Sequence, residues 1–415
     1  MTARESNFDI LIVGGGLVGA SLACALGQSS FKVAVVESFP LGSRSQPSYD
    51  DRTIALALSS RRIFETIDVW QRLQADDANP IEHIHISDRG HFGMTRLHAS
   101  DLKAEALGYV VETRALGAAL YDKLNTLENV TLFCPSDVKS ITTNESLATA
   151  VLAGEAGERI CNARLVVIAD GGRSALRDQL EIEVQKKEYD QVAIVANVTP
   201  GRAHDNTAYE RFTSEGPLAV LPIGRQRCAV VWSTQPEQAE IILNWTDAEF
   251  LSNLQQRFGH RLGQFQRAGS RQRYPLALTQ VDNPLRPRMV LIGNAAHTVH
   301  PVAGQGFNLG LRDIAALAQV LVDAERGQQD IGSESTLQRY VDWRQRDNRR
   351  TRMFTDSLIG IFSNDFLPLV IGRNLGLMVV DLFPSIKRAF MRRTSGLTGH
   401  LPKLARGVSL RAVEK

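Results

Sequence analysis

The sequence predicts an α/β chain, α+β overall. It has a Rossmann-like dinucleotide-binding domain, an inserted, mostly antiparallel β-sheet domain and a C-terminal helical segment. Three observations predict this. The continuous apolar run Asp9-Ile10-Leu11-Ile12-Val13 enters the glycine turn Gly14-Gly15-Gly16-Leu17-Val18-Gly19. From about 186 to 275 the pattern changes to short strands separated by turns. Met289 to Ile292 then restores the buried-strand pattern, ahead of a second glycine-rich turn and a helix from about 306.

The elements follow in order. Asp9–Val13 is unbroken and apolar, as a parallel strand buried on both faces must be. Ala20 to Leu26 is small and apolar, suited to a helix packed closely on a sheet. Lys32 to Val36 is a second buried strand, ending at Glu37, so the opening is βαβ. Gly42 to Ser48 reads as loop. Residues 53–78 read as helical from the spacing of Leu56, Ile63, Ile67 and Trp70, and 81–97 as strands. Thr113 to Leu127 is a helix with a start signal. Short strands follow at 131–133, 138–141 and 148–152, with a hairpin turn at 155–159. Leu165 to Ala169 is a further buried strand, closing on Asp170-Gly171-Gly172. Strands at 192–198, 208–213, 218–222 and 228–233 form the second domain, and the chain beyond about 345 reads as helical to its end. The domains are therefore 1–80, 98–185 and 276–345 for the dinucleotide fold, 81–97 and 186–275 for the inserted sheet, and 346–415 for the C-terminal region.

Composition narrows the function. The 415 residues are 43% hydrophobic and 22% charged, an ordinary globular balance. With 47 basic and 45 acidic side chains the net charge is +2, which gives no reason to expect a nucleic-acid partner. Cys24, Cys134, Cys161 and Cys228 are widely spaced, so neither a zinc knuckle nor a disulfide framework is expected. No signal peptide and no apolar stretch long enough to span a membrane is visible. His297 and His300 lack a third ligand at suitable spacing, so no metal site is expected. Cys228 and Trp232 read as core, and His83 and His85 as one face of a strand.

Chemistry sits in three motifs. In the first, Gly14 permits a tight turn, Gly16 lets backbone approach a pyrophosphate, and Gly19 lets helix and strand pack closely. The helix N-terminus turns unpaired N–H groups toward the phosphates. Glu37 has the spacing of a ribose-binding acid, and its charge repels a 2′-phosphate, which selects FAD or NAD over NADP. The second motif is Ala169-Asp170-Gly171-Gly172-Arg173-Ser174, an acid and two glycines at a strand end. The third runs from Gly293-Asn294-Ala295-Ala296-His297 to His300-Pro301-Val302-Ala303-Gly304-Gln305-Gly306-Phe307-Asn308-Leu309-Gly310-Leu311-Arg312-Asp313. Its loop can bring bare backbone against a flat ligand, and its helix N-terminus can stabilise negative charge.

Together these motifs resemble the flavoprotein aromatic hydroxylases of the para-hydroxybenzoate hydroxylase type. Within them, His300 to Asp313 matches the signature of the ubiquinone-biosynthesis hydroxylases. The resemblance covers nearly the whole chain and includes Ser87-Asp88-Arg89-Gly90-His91, Val195-Ala196-Asn197-Val198, Glu210-Arg211-Phe212 and Gly216-Pro217-Leu218-Ala219. It implies a Rossmann-like FAD-binding domain and a substrate domain. The implied activity is hydroxylation of a prenylated phenol, with O2 as co-substrate and NAD(P)H or another donor as transient reductant. The rival classes are a flavin dehydrogenase or prenyl-lipid reductase and a catalytically silent, flavin-bearing member of a complex. Gly14, Gly16, Gly19 and Glu37 are implied to hold the pyrophosphate and adenosine ribose. Arg52, Arg114, Val138, Asp170 and Asn308 are further cofactor positions, and Gly304, Gln305 and Gly306 lie against the isoalloxazine. Asn294 replaces the family's Asp as ribitol partner; its amide oxygen still accepts a hydrogen bond, without the charge-assisted strength. No catalytic side chain is assigned, since oxygen activation belongs to the flavin. Tyr274, Pro301 and Gly304 are ring-pocket candidates.

Residues 385–415 carry eight basic side chains and one acid, after a largely apolar stretch from Phe366 to Phe383. An apolar helix with a basic tail suits an anionic membrane surface. The bland alternative is a capping helix with a solvated tail. The resemblance is compatible with a cytoplasmic protein touching the inner face of the membrane peripherally, and with a ubiquinone-biosynthesis complex.

Overall fold

The computed structural model describes residues 4–40, 52–155, 157–172, 174–224, 226–298, 304–362 and 366–411. The centre of the first sheet is Arg4–Val13. It pairs in parallel with Val33–Val36 on one side and with Gly157–Ile168 on the other. Val130–Phe133 and Met289–Leu291 extend the parallel set outward. Alternate residues go to opposite faces, and both faces are buried. Ile10, Ile12, Val33 and Val35 share a core with the helices Leu17–Leu26, Thr113–Leu124 and Gln305–Arg326, while Leu11, Val13, Ala34 and Val36 join the opposite core. This is the physical reason that the strands are unbroken apolar runs. The antiparallel strands Ser136–Thr143 and Ala148–Gly154 continue onto Gly157–Ile168.

A second sheet of nine strands stands beside it. Its order runs from His297–Thr298 through Gln272–Val281, Val184–Thr199, Arg227–Thr234, Gly216–Ile223, Thr207–Thr213 and His83–Asp88 to Met94–His98. Its neighbours are antiparallel except Thr207–Thr213 with His83–Asp88. One face is covered by the helices Pro236–Asn244 and Asp247–Phe258, over a core that includes Cys228, Val230 and Trp232. The other face, with Val195, Ala219 and Val231, lines a cavity.

Three expectations change. The first is the helix over 53–78. Thr53–Ala57 is a strand, paired along its length with Gly108–Glu112, which in turn pairs with Ala78–Ile81. The helix is only Leu58–Thr66, and Trp70 sits in a short 3-10 turn. Strand pairing over five residues outweighs a helical spacing of four apolar positions. The second is the boundary at 276, which falls inside Gln272–Val281, a strand hydrogen-bonded to the second sheet.

The third is the helical reading to the end of the chain. Helices Glu334–Phe362, Leu367–Leu382 and Pro384–Thr394 form, but residues 395–411 are irregular apart from the turn Leu404–Arg406. This segment is not a free tail. Leu404, Ala405 and Leu410 are buried in the first core. Trp343 Nε1 donates to His400 O at 2.9 Å, the Lys403 N–H to Gln319 Oε1 at 2.8 Å, and Arg326 to Leu410 O at 2.6 Å.

Candidate active site

The glycine turn is built by close approach. A Cβ on Gly19 would fall 1.9 Å from Gly14 O, so only glycine lets the first helix sit this tightly against the strand end. Gly14 has φ +99°, and a Cβ there would lie 2.6 Å from Ala169 O. The helix Leu17–Leu26 starts at Gly16 with no side-chain cap and no acid in its first turn. Its N–H groups therefore remain available to an anion. Glu37 Oε2 accepts the Gly15 N–H at 2.8 Å, Oε1 accepts the Phe39 N–H at 2.9 Å, and Tyr121 Oη donates to Gly15 O at 2.6 Å. Burial raises the Glu37 carboxyl above its ordinary value, while these backbone donors pull it back. Glu37 thus latches the turn as well as facing the cavity. Sequence reading missed Tyr121, whose signal is spatial alone.

The second motif closes the same end. Asp170 Oδ2 accepts from Ser174 Oγ at 2.7 Å. Its Oδ1 is buried with no partner among the described residues, and burial raises its carboxyl. Gly14, Gly16, Glu37, Arg52, Val138, Asp170, Asn294, Gly304, Gln305, Gly306 and Asn308 all line one cavity of about 1320 Å³. Gly19 lies behind it as packing. Arg114 is exposed and outside the lining, whereas its neighbour Thr113 lines the cavity with Oγ1 buried and unpartnered among the described residues. Pro301 lies outside the described residues, as do Asp50, Asp51, Arg173 and His300.

The third motif is held by Asn308. Its Oδ1 accepts the Ala57 N–H at 2.8 Å and Ser60 Oγ at 2.6 Å; its Nδ2 donates to Ala55 O at 2.8 Å and Gly304 O at 2.6 Å. The side chain therefore fixes the helix start to the strand Thr53–Ala57. Gly304 has φ +61°, and its Cβ would meet Ala55 Cβ at 2.9 Å. Deeper in the helix, buried Asp313 accepts from Arg344 Nε at 2.7 Å and lies 2.6 Å from His297 Nε2. Burial opposes ionisation of Asp313, but His297 and Arg344 hold it down to about 2. The Asp313–Arg344 pair ties this helix to Glu334–Phe362, and His297 is its third member.

The far end of the cavity is mostly apolar. Ile86, Val195, Ala219, Leu221 and Val231 form the sheet wall, and Phe212 stacks on Phe362 at 3.7 Å. Tyr274 lines the cavity with its ring 4.9 Å from the Arg52 guanidinium. The helix Leu367–Leu382 closes this end with Leu369, Gly372, Gly376, Leu377 and Val380.

A chain with this geometry can be placed by likeness. Residues 7–355 match the FAD binding domain family. The chain is 37% identical over 406 residues to the ubiquinone hydroxylase UbiL of Rhodospirillum rubrum, covering 97% of this chain and 93% of that protein. The chain belongs to the FAD-dependent hydroxylases of ubiquinone biosynthesis. The hydroxylase is also 33% identical over 394 residues to the 3-demethoxyubiquinol 3-hydroxylase of Escherichia coli, covering 94% and 98%. Its fold is that of the p-nitrophenol 4-monooxygenase PnpA of Pseudomonas putida, with TM-score 0.77 at 18% identity and 96% and 99% coverage.

The hydroxylase's residues fit FAD. The bare glycine turn suits a pyrophosphate, and Asp170 and Thr113, each with a buried oxygen unpartnered among the described residues, line the same cavity. When bound, FAD supplies the redox and oxygen chemistry, with O2 as co-substrate and NAD(P)H as reductant. The protein's part is to hold the cofactor, orient the substrate ring and exclude water.

Proposed function

We propose that this hydroxylase oxygenates the aromatic ring of a prenylated phenol para to its hydroxyl, converting a 2-polyprenyl-6-methoxyphenol to the 1,4-benzoquinol. The phenol, O2, NAD(P)H and a proton give the quinol, water and NAD(P)+. The observation that carries the reading is the continuity of the cavity. Its cofactor end opens directly into a long apolar chamber, which accommodates a ring bearing a hydrocarbon tail. The resemblance over nearly the whole chain to 2-octaprenyl-6-methoxyphenol hydroxylase supports the step, while the His300 to Asp313 signature supports only the pathway's hydroxylases as a group. The name of the Escherichia coli relative favours a second reading, oxygenation at a sister ring carbon. Deleting the gene and identifying the accumulated quinone precursor by mass spectrometry decides between them. A prenylated methoxyphenol lacking the para hydroxyl is expected. A precursor blocked at another carbon reassigns the step, and normal quinone with no precursor overturns the pathway.

We also propose that the helix Leu367–Leu382 rests on an anionic membrane surface. Its inner side lines the cavity, while Leu367, Leu375 and Leu382 are 67%, 50% and 67% exposed on its outer side. Arg388, Arg392 and Arg393 are exposed on the next helix, Pro384–Thr394, placing positive charge beside the apolar face. No single described helix is long and apolar enough to cross a membrane; these two form a pair bent by 100°. The holoenzyme should sediment with vesicles containing phosphatidylglycerol, and Leu375→Asp with Leu382→Asp should abolish this without loss of bound FAD. Equal recovery of both proteins with the vesicles would overturn the docking face.

A further inference from the structure

The chamber wall holds one residue that an apolar substrate does not explain. Along the strand Thr207–Thr213, Ala208 to Glu210 and Phe212 all contribute to the lining; Glu210 shares the cavity face with its partners Ala219 and Ile86, while the Tyr209 ring packs against Phe258. Glu210 lies in register with Ala219 on one neighbouring strand and Ile86 on the other, and Ile86 in turn faces Thr95. Its neighbours across the sheet wall are therefore uncharged. The Glu210 carboxyl forms no hydrogen bond or ion pair among the described residues. Arg373, which the helix Leu367–Leu382 contributes to the lining, is bound to Asp88 at 2.7 Å. A carboxyl left alone on an apolar wall is costly to keep, so its partner is to be sought in the chamber itself.

We propose that Glu210 accepts the proton of the substrate's ring hydroxyl and so both orients and activates the ring. The inference rests on the phenol reading above. The phenol O–H bond breaks and its proton passes to the carboxylate. The electron pair left on oxygen raises electron density at the ortho and para carbons, where an oxygen electrophile is accepted. When the oxygenated carbon loses its own hydrogen to solvent and aromaticity returns, Glu210 gives the proton back to the ring oxygen. Burial alone, with no charged neighbour contributing, raises this carboxyl to about 7, a value suited to exchanging a proton at neutral pH.

The test uses purified FAD-loaded enzyme and a short-chain 2-prenyl-6-methoxyphenol. Glu210→Gln should keep its FAD and lose ~100-fold or more in kcat/KM, within the range for a general base. The acidic limb of the wild-type kcat/KM profile should vanish in Glu210→Gln and return, displaced, in Glu210→Asp. Perturbation of the flavin spectrum by the phenol should keep its pH dependence in Glu210→Asp and lose it in Glu210→Gln. An unchanged acidic limb in Glu210→Gln, with wild-type turnover intact, overturns the role of Glu210 alone. Failure of the wild type to oxygenate any prenylated phenol overturns the substrate reading instead.

Discussion

Arg373 donates from Nε to Asp88 Oδ2 across 2.7 Å, with both side chains almost inaccessible, and this pair joins the C-terminal helix to the sheet that walls the chamber. Asn374 reinforces it, donating to the same Asp88 oxygen at 2.9 Å and accepting the Gly93 N–H at 2.6 Å. Arg373→Met takes the buried guanidinium from the Asp88 carboxylate and leaves it, among the described residues, only Asn374 and the partly exposed His91, 3.3 Å away. The expected loss is roughly 3–5 kcal/mol, because removing one partner of a buried pair forfeits the pairing and keeps the desolvation cost. Urea unfolding measures it, and early proteolysis after residue 366 should report release of the helix. A variant as stable as wild type would show that the helix is held by its apolar contacts.

At the mouth of the third motif, Gly304→Val is expected to lower the FAD content of purified protein. The added side chain meets a φ of +61° and Ala55 Cβ at 2.9 Å. A left-handed conformation alone costs an ordinary residue about 1–2 kcal/mol. The ratio of absorbance at flavin and protein bands reads the result, and full occupancy would show that the helix start can shift.

Asn308→Ala removes four hydrogen bonds, two to the strand Thr53–Ala57, one to Ser60 and one to the helix's own N-cap Gly304. Each buried group left unmet costs about 1–3 kcal/mol. Thermal unfolding should fall by several degrees, with FAD release preceding the main transition. Asn308→Asp should rescue less than half, because a carboxylate accepts from Ala57 and Ser60 but cannot donate to Ala55 and Gly304.

Asp313 and Glu210 should give opposite pH dependences. Asp313 titrates at about 2 in the folded chain against an ordinary value of 3.8. Its stabilisation is therefore present above the ordinary value and is lost as pH falls through the folded one, an effect on the order of 2–3 kcal/mol. The gap between wild type and Asp313→Asn should close in that acid window. Glu210 titrates at about 7 when folded against 4.5 ordinarily. Stability is then full below the ordinary value and declines as pH rises to the folded one, by no more than about 3 kcal/mol. Glu210→Gln should gain on the wild type across that range. Parallel stability curves for wild type and variant would place the carboxyl in water.

Local backbone demands made part of this protein legible in one dimension. Gly14, Gly16 and Gly19 announce a turn that carries bare backbone because no side chain fits there. The apolar runs at Ile10–Val13 and Val33–Val36 announce strands buried on both faces. The long helix from Gln305 and the alternation between 192 and 233 follow the same rule, that periodicity records which faces are covered. Local spacing favours a helix at Thr53–Ala57 because the pairing that decides otherwise, from Thr53 with Glu112 to Ala57 with Gly108, spans distant positions.

What the sequence by itself determined is the cofactor fold and the family of chemistry, since both are written in contiguous motifs whose geometry is local. Only the tertiary structure decided that Asn308 is a clamp, that the basic tail folds back through Leu404 and Leu410, and that Asp88 meets Arg373 from 285 positions away. It also decided that Glu210 stands without a counter-charge among the described residues. These are consequences of burial and of pairing between distant segments, and neither leaves a periodic mark in the chain.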